Sequence, residues 1–365
     1  MVSNEFPHAG RLVGKRRVVD SRIRPTTPEG GHRSWNSFLP HPFQAPLRPT
    51  ARVKFHRLEA VRGLLSAYVC LTHVVDTKHA SAMLRLPLSF GQEAVVVFFI
   101  LSGFVISWSS NRTKAPEPFT SYFLKRAARI YCVWTAAAVA MFLIAWAEKG
   151  QIVYEPAERW LGNFLMLQDW KPAKPAVICT PIYGNSPLWS LHYEWWFYML
   201  FPAVLRLVRE SWRSGIVGVS AIGHAIVYAW LPNPISRLFM YLSIWWIGVH
   251  AATTLRARGK VRLVDLALPL LCVFGTALPG LFTTARWLQN ERGLSPGLHP
   301  ILEVRHCLSA IAVVLTAFAW RGSGWWGFSH IVAPFAVLAP ISFSLYAIHY
   351  RSIAQASYQI GRAHV

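Results

Sequence analysis

Charge is scarce in this chain. Only 15% of its 365 residues are Asp, Glu, Lys or Arg, against about 25% in soluble domains. Acid is scarcer still, with 16 Asp and Glu against 37 Lys and Arg. Few charges and a composition that is 53% hydrophobic exclude an ordinary soluble domain. The five cysteines show no CxxC spacing, so neither a disulfide framework nor a zinc site is indicated. Cys70, Cys132, Cys272 and Cys307 fall in apolar runs as small packing residues, and Cys179 stands alone in a loop. No zinc-finger, RNP or helix-turn-helix signature accompanies the net charge of +21, which argues against nucleic acid as a partner. The apolar runs are continuous rather than alternating, which argues against a β-barrel. Residues 1–50 contain no signal-peptide-like apolar core.

What is present is a series of apolar runs, near 58–76, 94–110, 130–147, 188–208, 215–231, 235–253, 263–284, 307–320 and 331–350. A shorter piece at 160–168 is expected at the membrane interface. With a mean hydropathy of +0.32, the chain reads as all-α, a polytopic transmembrane helix bundle of about 9–10 spans. The positive charge is clustered beside these runs. Residues 1–57 hold 11 Lys/Arg and 3 Asp/Glu, a balance of +8. Further clusters are Lys125-Arg126-Arg129, Arg206-Arg209-Arg213 and Arg256-Arg258-Lys260-Arg262. A cytoplasmic N-terminus puts all of them inside and puts the acidic 148–187 loop outside, as the positive-inside rule requires. Contact with anionic membrane lipid is a second use for the same charges. Residues 1–56, rich in Pro, Arg, Ser and Gly, read as a disordered basic cytoplasmic arm before a membrane domain over 57–356. For the tail, one codon choice for residues 359–365 matches a common sequencing-library adapter. The last helix is therefore expected to be cut short.

Four segments carry the chemistry. In the first run Arg62 and His73 lie eleven residues apart. At about 100° per residue they share one helix face, separated by a rise of about 16 Å. An unpaired polar group in lipid costs several kcal/mol, so both are candidate functional groups. In the fourth run Glu194 sits among aromatics in Trp189-Ser-Leu-His-Tyr-Glu-Trp-Trp-Phe-Tyr198. It is either a helix-capping acid working with Ser190, or a carboxylate that shares a cavity with His73 and tunes it. Ser102-Gly103, inside Phe98-Phe-Ile-Leu-Ser-Gly-Phe104, is either a close-packing site or an opening that lines a substrate path. Near the end, Tyr346 and His349 of Ser342-Phe-Ser-Leu-Tyr-Ala-Ile-His349 share a helix face. Lys125, Arg126 and Arg129 either set topology or bind a phosphate.

Together these segments resemble the acyltransferase-3 family of integral membrane acyltransferases, over roughly residues 57–350. The family's Arg, ten residues, then His is matched by Arg62 and His73. Its Phe-rich Ser-Gly motif is matched by Phe98 to Phe104. Its Ser-Leu-x-x-Glu-x-x-Phe-Tyr block is matched by Ser190, Leu191, Glu194, Phe197 and Tyr198. Its Ser-x-Ser-x-Tyr-x-x-His close is matched by Ser342, Ser344, Tyr346 and His349. Two positions depart from the pattern. Val95-Val96-Val97 replaces the acid often found before the double Phe, and Cys132 replaces a proline.

The resemblance implies a membrane O-acyltransferase in the inner (plasma) membrane. It would move an acetyl or other short acyl group from cytosolic acyl-CoA, a co-substrate, to a hydroxyl of a sugar, cell-surface glycan or small molecule, without a metal. His73 and Glu194 would be catalytic, and His73 would act as a base or as an acyl carrier. Arg62, Arg126 and Arg129 would hold the donor. Ser102, Ser190, Tyr346 and His349 would support the substrate path. The rival class is a multi-span transporter of a polar or glycan substrate, but no clear inverted repeat is visible in the sequence.

Overall fold

The computed structural model describes residues 55–74, 81, 83, 87–110, 117–290 and 295–350. The expected N-terminal arm and the tail past 350 lie outside them. Among the described residues there is no strand, only an isolated bridge between Gln168 and Cys179. The main helices are α1 (His56–Val74), α2 (Gly91–Ser110), α3 (Phe119–Lys149), α4 (Ala157–Phe164), α5 (Trp189–Leu207), α6 (Arg213–Trp230), α7 (Pro234–Arg258), α8 (Ala267–Gln289) and α9 (Ile301–Gly322). A last helix, α10, occupies 342–350.

Among the described residues five helices are long and apolar enough to cross a membrane: α2, α3, α7, α8 with its preceding turn, and α9. This is a multi-pass membrane protein. The other long helices fall short in hydropathy rather than length. α1 carries Arg62 and His73, and α5 carries His192 and Glu194. An inward-facing polar stripe lowers the mean hydropathy of a helix, so a count of about 9–10 spans rests on weaker apolar runs than these five.

Two boundaries differ from the sequence reading. α3 begins at Phe119 rather than near 130, so Lys125, Arg126 and Arg129 lie within its first three turns, not in a flanking loop. The 331–350 run is not one helix. It breaks into a helical turn (Phe328–Ile331), a 3₁₀ turn (Ala333–Leu338) and α10. Pro334 and Pro340, which lack the N–H that a helix interior needs, explain the break. The piece expected near 160–168 does form a short helix, α4.

α2 and α7 pack closely because two glycines let them. A Cβ on Gly103 would stand 2.2 Å from the Trp245 carbonyl oxygen, and one on Gly248 would stand 1.9 Å from that of Ile100. Each helix presses its backbone against the other, the close approach that small residues allow in membranes. Around this crossing lie fully buried aromatics, including Trp245, Tyr193, Tyr198, Phe197 and Phe201.

The connection from α4 to α5 folds into the bundle. His192 Nδ1 donates to the Met166 carbonyl oxygen (2.6 Å), which Trp196 Nε1 also reaches at 3.0 Å. Asp169, only 2% exposed, meets Lys174 Nζ at 2.9 Å and Arg237 Nη2 at 3.1 Å. It also accepts from Tyr193 O–H at 2.5 Å. Arg237 extends the network to Tyr193 (2.9 Å) and Tyr228 (3.1 Å), and Tyr228 donates to Glu303 at 2.8 Å. Two acids and two bases are thereby buried together. Burial opposes charge on Asp169, but Lys174 and Arg237 outweigh it and hold the carboxyl down at about 2. Burial lowers the Lys174 ammonium, and Asp169 opposes that shift.

Candidate active site

The Arg62–His73 face of α1 meets α2, α3, α5 and α10 around two neighbouring cavities. The inner one is narrow, about 40 Å³. Arg62, Ser102, Arg129, Ser190, Glu194, Ser342 and Tyr346 line it together with Val95, Phe98 and other apolar side chains. The second is wider, about 490 Å³. Its lining includes His73, Thr72, Gln92, Val95, Trp170, Ser186, Trp189, Tyr346 and Tyr350. Val95 and Tyr346 belong to both linings.

In the narrow cavity Glu194 is the centre of a polar cluster. Tyr198 O–H, one helical turn on, donates to Glu194 Oε1. Ser102 Oγ donates to the same oxygen at 3.2 Å and lies 3.0 Å from the Tyr198 hydroxyl. Arg129 Nη2 stands 3.9 Å from it. Arg62 Nη2 donates to Ser342 Oγ at 3.3 Å. Arg126 is not in this lining. Its guanidinium lies over the Tyr122 and Tyr198 rings, 5.1 and 5.8 Å from their centroids.

Glu194 caps nothing. α5 has no side-chain cap, and the partners of Glu194 are side chains of α2, α3 and α5. Gly103 is a packing glycine against α7, while Ser102 faces the narrow cavity. Ser190 lines that cavity and donates to the Pro187 carbonyl at 3.4 Å.

Glu194 and His73 do not share a cavity lining. Loop charges assign a helix end to a side of the membrane but give no depth. Because the α4–α5 connection is sunk into the bundle, α5 starts inside it, and Glu194 reaches the level of Arg129 and Arg62. The imidazole against His73 is instead that of His349. His349 Nε2 lies 3.2 Å from His73 Nδ1, and the ring centroids are 4.9 Å apart. Tyr346, on the same face as His349, donates to the Pro187 carbonyl at 2.7 Å and so braces the start of α5.

The sequence reading missed Tyr198 as the partner of Glu194, and the Asp169–Lys174–Arg237 cluster behind Trp189. Lys174 Nζ lies 3.6 Å from the Trp189 ring centroid, so this cluster backs the wall of the wide cavity. Arg237 carried a usable signal, since an arginine in the first turn of an apolar helix calls for a buried partner. Among the described residues no group of three or more His, Cys, Asp or Glu side chains is disposed to hold a metal.

Two adjoining cavities, one lined by arginines and the other by an exposed imidazole, suit the transfer of a group between two molecules. The comparisons with known proteins agree. A family model described as an acyltransferase domain matches residues 55–361. The chain belongs to the acyltransferase-3 family. Among curated proteins it is similar to "Acyltransferase MdmB" of Streptomyces mycarofaciens, 26% identical over 341 residues, covering 85% of this chain and 73% of that protein. It is also similar to "Nodulation protein 10" of Rhizobium leguminosarum bv. viciae, 24% identical over 345 residues, covering 79% and 90% of the two chains. No solved structure matches it. This acyltransferase is thus an all-helical membrane enzyme.

Proposed function

We propose that this acyltransferase takes an acetyl or other short acyl group from cytosolic acyl-CoA and delivers it to a hydroxyl of a sugar, cell-surface glycan or small molecule. The observation that carries the reading is the pair of neighbouring cavities whose linings share Val95 and Tyr346. In this reading the N-terminus is cytoplasmic, in the inner (plasma) membrane, and Arg62 and Arg129 attract the anionic donor. Arginine suits phosphate because its planar fork makes two parallel hydrogen bonds. Arg126, just outside the narrow cavity, adds to the same positive field. The acceptor enters the wide cavity, where Trp170, Trp189 and Tyr350 offer ring faces and Thr72, Gln92 and Ser186 offer polar groups.

In direct transfer, His73 removes the proton of the acceptor hydroxyl as its oxygen attacks the thioester carbon. The C–S bond breaks, and the CoA thiolate leaves and takes up the proton from the imidazolium. In the covalent variant His73 attacks the thioester carbon first, the C–S bond breaks, and CoA leaves as the thiolate. The acceptor hydroxyl then attacks the acyl-imidazolium, its proton passes to the thiolate, and the C–N bond breaks to restore the imidazole. Glu194 holds Arg129, Ser102 and Tyr198 in a fixed arrangement beside the donor.

The test is transfer of radiolabelled acetyl from acetyl-CoA to a panel of sugar acceptors by purified protein. His73→Ala is expected to abolish transfer while membrane yield is kept. Near-normal turnover in that variant would remove His73 from the mechanism. A single-turnover trap of an acetylated His73 peptide separates the covalent route from the direct one.

A further inference from the structure

The hydrogen bonds of His73 and His349 form a directed chain. His349 Nδ1 lies 2.8 Å from the Tyr346 carbonyl oxygen and 3.2 Å from that of Leu345. A carbonyl only accepts, so His349 Nδ1 carries the proton, and in the neutral ring Nε2 is then a bare lone pair. That lone pair points at His73 Nδ1, 3.2 Å away. His73 Nδ1 in turn lies 2.9 Å from the Val69 carbonyl oxygen. The Thr72 hydroxyl, 3.4 Å from the same nitrogen, gives its own proton to the Val69 carbonyl at 2.7 Å. Among the described residues all three neighbours of His73 Nδ1 are therefore acceptors, so this nitrogen also carries its proton. One His73 tautomer satisfies every contact: proton on Nδ1, lone pair on Nε2.

We infer that His349 is a positioning residue that fixes this tautomer and leaves His73 Nε2 as the reacting nitrogen. The inference rests on the proposed role of His73 and goes further, since it names the nitrogen and the group that selects it. The Val69 carbonyl favours the proton on Nδ1. His349 adds a second acceptor, which steadies the ring as Nε2 gains a proton or an acyl group and Nδ1–H becomes more acidic. His349 is 4% exposed, whereas His73 remains exposed on the wide cavity. The buried ring supports and the open ring reacts.

The test uses the full chain in detergent and diethyl pyrocarbonate, which acylates a bare imidazole nitrogen. The readout is the rate of His73 modification by peptide mass mapping, and it needs neither donor nor acceptor. In His349→Gln the side-chain carbonyl stands where Nε2 stood and still accepts from His73 Nδ1. In His349→Leu that second acceptor is lost and the backbone carbonyl of Val69 is left to hold the ring without it. His73 modification and acetyl transfer are both expected to fall roughly tenfold in the Leu variant and to stay near wild type in the Gln variant. A purely structural role for His349 would slow both variants alike, and that result would overturn the inference. Wild-type rates in both variants would overturn it too. Should the Leu variant not fold, a folded Gln variant with tenfold slower His73 modification would be sufficient refutation. Failure of the proposed function shows separately, as transfer that survives His73→Ala.

Discussion

Replacing Asp169 with Asn removes one charge from a cluster that is closed to solvent. Lys174 at 2.9 Å and Arg237 at 3.1 Å would keep their charges and lose their counter-ion. All three side chains are 3% exposed or less, so water cannot replace it. Removing one partner of a buried ion pair costs about 3–5 kcal/mol. The upper half applies here, because two cations rather than one are left uncompensated and Tyr193 loses an ionised acceptor. At about 2 °C per kcal/mol for a chain of this size, the thermal midpoint should fall by roughly 8–10 °C. The assay is thermal aggregation in detergent, followed by fluorescence-detected size exclusion. Pairing Asp169→Asn with Lys174→Met restores the charge balance and should recover about half of the loss. A single variant that melts within about 1 °C of wild type would refute the argument. So would a double variant less stable than the single one.

Acid should act on the same group. The folded pKa of Asp169 is depressed to about 2, so its stabilisation is complete above the unfolded value of about 4 and is lost as pH falls towards 2. The loss should approach about 2 kcal/mol, read as a midpoint shift that Asp169→Asn no longer shows. Gly248→Ala would put a methyl 1.9 Å from the Ile100 carbonyl oxygen and should cost about 1–3 kcal/mol. Gly223→Ala, with nothing within 4 Å, is the matched control and should melt like wild type. Arg62→Ala should raise the donor KM roughly tenfold while the acceptor KM holds, and an unchanged donor KM would contradict the donor role. Glu194→Gln should keep acceptors for Ser102 and Tyr198 but lose the charge facing Arg129. The rate of acetyl transfer at neutral pH should fall roughly tenfold, and an unchanged rate would leave Glu194 a packing role only.

The helical class and most helix positions could be read from the sequence, because a long apolar run both forms a helix and must be buried. Boundaries slipped where that link is weak. The first turns of α3 are cationic and still helical, and the 331–350 run is apolar but interrupted by Pro334 and Pro340. For the site, periodicity put Arg62 and His73 on one face, and Tyr346 and His349 on another. It does not say which faces meet. His73 was paired with Glu194 on the strength of a shared membrane side, whereas the structure sets it against His349 and sets Glu194 beside Arg129. Asp169 counts in the sequence only as one charge of the acidic 148–187 loop, because neither sequence nor composition shows that a loop is sunk among helices.

Arg62 and His73 belong to the first helix described, and their partners Ser342 and His349 to the last. The contacts span 280 and 276 residues of chain. The chain must be synthesised past Ser342 and His349 before these contacts can close. α1 therefore stands without Ser342 and His349 while the chain between them is made. Contacts at such separation form late, since a long loop must close before they reward it. On the proposed roles of Arg62 and His73, acyl transfer would begin only after α10 has docked against α1.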